Sequence, residues 1–145
     1  MSSISFILDG SEFSKAKLTE LSLRTNQLIG GGLRCEYILY VDDKNLDNTI
    51  YTGVTLVASS QKSVSGFNKA LATASGETLI ISNLANVLSD KNNDIALQAV
   101  NYQNVSLAIP TKKQTTLRRV SGIRKITNVP YYFASRKFAN AHAAI

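Results

Sequence analysis

The segment CEYILYVDDKNLDNTIYTGVTLVAS, residues 35–59, decides how this chain is read. Its first half alternates as a strand does. Cys35, Tyr37, Leu39 and Val41 fall on one face, and Arg34, Glu36, Ile38 and Tyr40 on the other. A polar loop, DDKNLDN, follows. The run TIYTGVTLVAS then places Ile50, Val54, Leu56 and Ala58 on one face. Two alternating runs joined by a short polar loop predict an antiparallel hairpin.

Working outward, ISFIL (4–8) reads as a strand closed by the turn pair Asp9-Gly10. Residues 11–29 fit a helix capped by Ser11, or a strand through ELSLRT. SVSGFNKALATASG carries a helical stripe of Val64, Phe67, Leu71 and Ala74, with Ser63 as cap and Gly76 as stop. TLIIS reads as a strand and SNLANVLSDK as a brief helix. DIALQAVNYQNVSLAI reads as another strand, TTLRRVSGIRKITNV as an extended segment, and ANAHAAI as an arm or frayed helix. The expected fold is α+β and mainly β: an antiparallel sheet with one or two short helices and a basic, partly extended C-terminal segment. The expected division is a core domain over 1–110 and a basic segment or arm over 111–145, packed on the same domain.

The charge is unevenly spread. The 145 residues carry a net +6. Residues 1–94 hold eight Lys/Arg and all ten Asp/Glu, whereas residues 95–145 hold eight Lys/Arg and no acid. Those eight are Lys112, Lys113, Arg118, Arg119, Arg124, Lys125, Arg136 and Lys137. A one-sign segment repels itself, so its counter-charge comes from a partner. Phosphates are the first candidate, which makes these eight the expected nucleic-acid-binding residues. Tyr131, Tyr132 and Phe133 stand among them as base-stacking or interface side chains, with core or interface favoured for three consecutive aromatics.

Catalytic residue types are scarce. Tyr40-Val41-Asp42-Asp43 matches the four-letter core of reverse transcriptases. Two-metal chemistry needs carboxylates from separate segments, and only 39 residues, with Asp9 as their sole aspartate, precede it. The match reads as a strand running into an acidic turn. Gly30-Gly31-Gly32 lacks the Lys-Ser/Thr and helix of a phosphate loop and reads as a turn. Cys35 and His142 are each the only one of their kind, which excludes an internal disulfide and a zinc site. Cys35 reads as a buried small hydrophobe. Leu117-Arg118-Arg119-Val120-Ser121 resembles a basophilic kinase target, and phosphate contact or plain solvation explains its arginines without a kinase.

No metal and no cofactor are expected. The N-terminus lacks a basic region and a long apolar run, which argues against a secretory signal, and no apolar run reaches membrane-spanning length. Together these features predict a non-enzymatic, self-assembling structural protein that contacts RNA or DNA, such as a small viral or phage coat component, located in a virion or the host cytoplasm. The expected partners are nucleic acid and further copies of the chain. The alternatives are an RNA/DNA-binding ribonucleoprotein subunit, or a small nuclease or toxin using His142 or the Asp42/Asp43 pair.

Overall fold

The computed structural model describes residues 3–10, 13–42, 50–59, 64–103, 105–108 and 130–141. The elements follow in chain order: β1 (Ser3–Asp9), α1 (Lys15–Gly30), β2 (Arg34–Asp42), β3 (Val54–Ser59), α2 (Val64–Thr73), β4 (Thr78–Asn83), α3 (Leu84–Ser89) and α4 (Asp94–Ala99). A 3-10 turn (Val100–Tyr102), β5 (Leu107–Ala108), β6 (Tyr132–Ser135) and α5 (Arg136–Ala141) complete the described chain. Six strands make one sheet in the order β3-β2-β1-β4-β6-β5. β1 pairs in parallel with β2 and with β4, and β2 pairs in parallel with β3; only the pairs involving β6 are antiparallel.

This corrects the expected mainly antiparallel α+β fold. The decisive error lies in the opening segment. β2 and β3 run parallel, with Tyr37 opposite Val54 and Asp42 opposite Ser59. The connection does not turn back on β2. Residues 50–53 enter β3 at the amino end of the sheet beside α1, where Ser22 Oγ donates to the Thr52 carbonyl at 2.8 Å. There the Tyr37 N–H donates to the Gly53 carbonyl at 2.8 Å. Gly53 takes a left-handed φ of 78°, and a Cβ on it would lie 2.4 Å from Thr25 Cγ2. Glycine is therefore required twice over, by its backbone and by the helix beneath it.

Two cores flank the sheet. On one face Phe6, Leu8, Cys35, Tyr37 and Leu39 meet α1 through Leu18, Leu21 and Leu28, and meet α3 and α4 through Val87 and Ile95. On the other face Ile7, Ile38, Tyr40, Leu79 and Ile81 meet α2 through Phe67, Ala70 and Leu71. A central strand covered on both faces needs apolar residues on both, which is why FIL, YILYV and LII read as continuous apolar runs. The two faces assigned to residues 35–41 match the burial: the odd-numbered set lies in the first core, and Ile38 and Tyr40 in the second.

Helix ends follow local rules. Ser14, not Ser11, caps α1, its Oγ accepting from the Lys17 N–H. Gly30-Gly31-Gly32 stops that helix. Leu33 N–H donates to the Leu28 carbonyl at 2.8 Å, Gly32 N–H to Ile29 at 2.9 Å, and Gly32 takes φ 87°. The segment expected as a strand from Asp94 begins with α4 instead. Asp90 accepts the N–H groups of Asp94 at 3.0 Å and Ile95 at 2.8 Å, fixing the first turn, and Ile95, Ala96 and Ala99 form the buried stripe.

Candidate functional site

Two arginines that sequence reasoning placed elsewhere, or passed over, hold the frame of the molecule. Arg24, on α1, is 4% exposed and reaches the end of α3. It donates to the carbonyls of Val87, of Asp90 at 2.9 Å and of Leu88 at 3.0 Å, and pairs with Glu20 at 3.3 Å. Arg136 does the same for α2 on the opposite face, donating to the carbonyls of Leu71 at 3.1 Å, Ala74, and Gly76 at 3.0 Å. A planar fork of five donors suits the cluster of unsatisfied carbonyls at a helix end, and its charge complements the helix dipole. Arg136 is thus engaged inside the fold, whereas Lys137 is exposed.

Tyr132 and Phe133 are buried in opposite cores, as successive strand residues must be. Phe133 stacks on Tyr102 with centroids 4.9 Å apart. Tyr131 is half-buried and donates from its hydroxyl to Gln98 Oε1 at 3.1 Å. Tyr132 and Phe133 therefore present no face for base stacking. Lys112, Lys113, Arg118, Arg119, Arg124, Lys125, Ser121 and His142 lie outside the described residues, as does Asp43.

The amino end of the sheet is closed by hydrogen bonds. Glu36 Oε2 accepts from Ser5 Oγ at 2.7 Å, from Ser75 N at 2.9 Å and from Ser75 Oγ at 2.5 Å. Ser5 Oγ accepts in turn from Gly76 N at 2.8 Å. Burial pushes the Cys35 thiol up to about 12 and raises the Tyr37 phenol as well.

The carboxyl end is where the strand order reverses. From β1 the chain steps to β2 and β3 on one side, then crosses back to β4 on the other. Asp9, the last residue of β1, stands opposite Tyr40 of β2 and opposite Asn83 of β4. Asp42 ends β2 two residues beyond Tyr40. Gly10 then passes so close to β2 that an added Cβ would lie 2.5 Å from Val41 Cγ1. Asn83 Oδ1 caps α3 by accepting the Asn86 N–H at 2.8 Å, and Ser82 Oγ and Asn86 Nδ2 both donate to the Pro130 carbonyl, at 2.7 and 3.0 Å.

The sheet also fixes where the basic connection is anchored. β5 is antiparallel to β6, which is antiparallel to β4, so β5 ends and β6 begins at this same carboxyl edge. The 109–129 connection between them contains Lys112, Lys113, Arg118, Arg119, Arg124 and Lys125 and no acid. Among the described residues no group of three metal-ligating side chains comes together, and no helix is long and apolar enough to cross a membrane.

No protein-family model matches the chain, and no curated protein matches it. Among solved structures it is similar to HddC from Yersinia pseudotuberculosis, with 11% identity and a TM-score of 0.48 over 97% of this chain and 80% of that one. It is also similar to the bifunctional IspDF from Campylobacter jejuni, with 16% identity and a TM-score of 0.45 over 94% of this chain and 41% of that one. Likeness at this level assigns no activity. The mostly parallel sheet, covered by helices on both faces, removes the β-rich shell on which the expected coat protein rested. The expected non-enzymatic virion protein is therefore corrected, together with the exclusion of enzymatic activity, and its placement in a virion is left without support.

Proposed function

We propose that the chain is the nucleotide-binding domain of a group-transfer enzyme whose donor is a nucleotide-activated small molecule. One observation carries the reading. The strand order reverses at Asp9 and Asn83, and both anchors of the six-cation connection stand at that same edge. In open α/β sheets ligands bind outside the carboxyl ends of the strands, at the point of reversal.

The roles follow from chemistry. A carboxylate at the end of the second strand accepts hydrogen bonds from ribose hydroxyls, which is the part given to Asp42. Asp9 and Asn83 lie at the centre of the crevice, beside the transferred group. Lys112, Lys113, Arg118, Arg119, Arg124 and Lys125 supply the cations for the phosphates. In the sequence after β1, Gly10 is followed by Ser11 and Glu12, not by the G-x-G-x-x-G of a dinucleotide fold, which favours a nucleotide donor over a dinucleotide cofactor.

Calorimetry with ADP, GDP, UDP and CDP, with and without Mg²⁺, tests the reading. Saturable one-to-one binding of at least one, weakened by Asp42→Asn, is expected. Absence of binding by all four overturns it. A polynucleotide is the competing ligand for the same cations, and tighter binding of a single-stranded oligonucleotide than of any nucleotide would favour it.

A further inference from the structure

We infer that a second ligand site, for a neutral polyhydroxylated molecule of monosaccharide size, lies between α3, α4 and the entry to β6. The cavity there measures about 280 Å³ and is lined by Asn86, Ser89, Asp94, Gln98, Pro130 and Tyr131 among others. That is just under the roughly 300 Å³ at which pockets for drug-sized ligands begin.

The walls are fixed before any ligand arrives. Asn86 Nδ2 is tied to the Pro130 carbonyl at 3.0 Å, and Ser89 Oγ donates to the Asn86 carbonyl at 2.9 Å. The Tyr131 hydroxyl is tied to Gln98 at 3.1 Å, and its ring is held edge-on against Phe133 at 5.6 Å. Arg24 grips the carbonyls at the end of α3 from behind. Such prearranged groups lose little freedom on binding.

The lining selects the ligand by its chemistry. Gln98 Nε2 offers donors; Asn86 Oδ1, the Ser89 hydroxyl and the Asp94 carboxylate offer acceptors. A molecule dense in hydroxyls, each both donor and acceptor, satisfies such a mixed set. Tyr131 adds an aromatic surface for its C–H groups. A cation is disfavoured. Asp90 also lines the cavity, but both its carboxylate oxygens are engaged by the N–H groups of Asp94 and Ile95, so Asp94 is the one lining carboxylate not used to cap α4.

The site adjoins the carboxyl edge, because the Pro130 carbonyl accepts from Asn86 Nδ2 in the cavity wall and from Ser82 Oγ near the end of β4. The ligand's role as acceptor of the transferred group rests on the proposed function; its binding does not.

The test is an NMR titration of the full chain with methyl α-D-glucopyranoside and with myo-inositol, without nucleotide. Saturable shifts of the Asn86 and Gln98 side-chain amides are expected with at least one probe. Asp94→Asn should weaken binding about tenfold, as loss of a charge-assisted hydrogen bond does. Ser89→Ala serves the same purpose should the first variant misfold. Linear shifts spread over the surface, or saturable shifts unchanged in both variants, would overturn the inference. Asp42→Asn should leave polyol binding intact, so loss of nucleotide binding alone would count against the donor site and not against this one.

Discussion

Asp9 and Asn83 face each other across the central pair of strands, one ending β1 and the other ending β4. Each is the point at which its strand gives way to a connection, and the strand order runs in opposite directions from the two. β2 and β3 continue the sheet on one side of this pair, and β6 and β5 on the other. At the amino edge the corresponding positions are tied into Glu36, Ser5, Ser75 and Gly76. The amino edge is tied by hydrogen bonds, and the proposed nucleotide site lies at the other.

The two arginine clamps should be worth more than their surface counterparts. Arg24→Met removes hydrogen bonds to three carbonyls and leaves them without a donor, so a loss of about 3 kcal/mol is expected in urea denaturation. Arg24→Lys should recover only a fraction, because one ammonium cannot reproduce the fork. Arg136→Met should cost about 2 kcal/mol, and Lys137→Met, at an exposed position, less than about 0.5 kcal/mol. Equal midpoints for Arg136→Met and Lys137→Met would contradict the clamp.

Two glycines should respond oppositely to alanine. At Gly76 a Cβ would lie 2.6 Å from Ser5 Oγ and 2.7 Å from Ser5 N, so the backbone must move, at a cost of about 1–3 kcal/mol. At Gly30, in the last turn of α1, a Cβ meets nothing within 4 Å, and alanine should stabilise by about 0.5–1 kcal/mol. Thermal unfolding of both variants measures the contrast directly.

The strand faces were legible in the sequence and the strand directions were not. Alternation assigned Tyr37 and Ile38 to opposite cores because side-chain period depends only on the local backbone. Nothing local distinguishes two strands that pair antiparallel from two that pair in parallel. The Ser22 and Thr25 contacts to Thr52 and Gly53, which make β3 parallel to β2, join residues about thirty apart in sequence. A better clue was available in FIL, YILYV and LII, since unbroken apolar strands separated by a helix point to a sheet covered on both faces. α4 was missed although Asp90 stands four residues before Asp94 and the Ala/Leu/Gln content favours a helix. The engagement of Arg136 was invisible because its carbonyl partners lie some sixty residues upstream. At the candidate site, Asp9 and Asn83 are distant in sequence and carry no motif; only strand pairing brings them together.

Cys35 should behave as a buried thiol. Its proton is held up to about 12, chiefly by burial, against about 9 for an exposed thiol. Ellman's reagent at pH 8 should therefore react far more slowly with the folded chain than with the urea-unfolded chain. The unfolded thiol ionises near 9 and the folded one near 12, so this contribution to stability is complete below pH 9 and is lost as pH rises towards 12. Cys35→Ala should flatten that alkaline decline. Equal labelling rates in the two states would contradict the burial.

The cations of the basic connection should govern phosphate affinity. Replacing Arg118, Arg119, Arg124 and Lys125 by alanine should weaken binding of a nucleoside diphosphate and reduce its dependence on salt. The same replacement should leave the unfolding free energy within about 0.5 kcal/mol of the parent, as expected for side chains that act on a ligand. An unchanged affinity would remove these residues from the site.

The central claim is the location of the nucleotide, and amide chemical-shift mapping locates it. On titration with the tightest-binding nucleoside diphosphate, saturable shifts should concentrate at Gly10, Asp42, Asn83 and the 109–129 connection. Ser5, Glu36, Ser75 and Gly76 at the opposite edge should stay in place. Shifts centred on that amino edge, or none that saturate, would contradict the assignment of this chain as a nucleotide-binding domain.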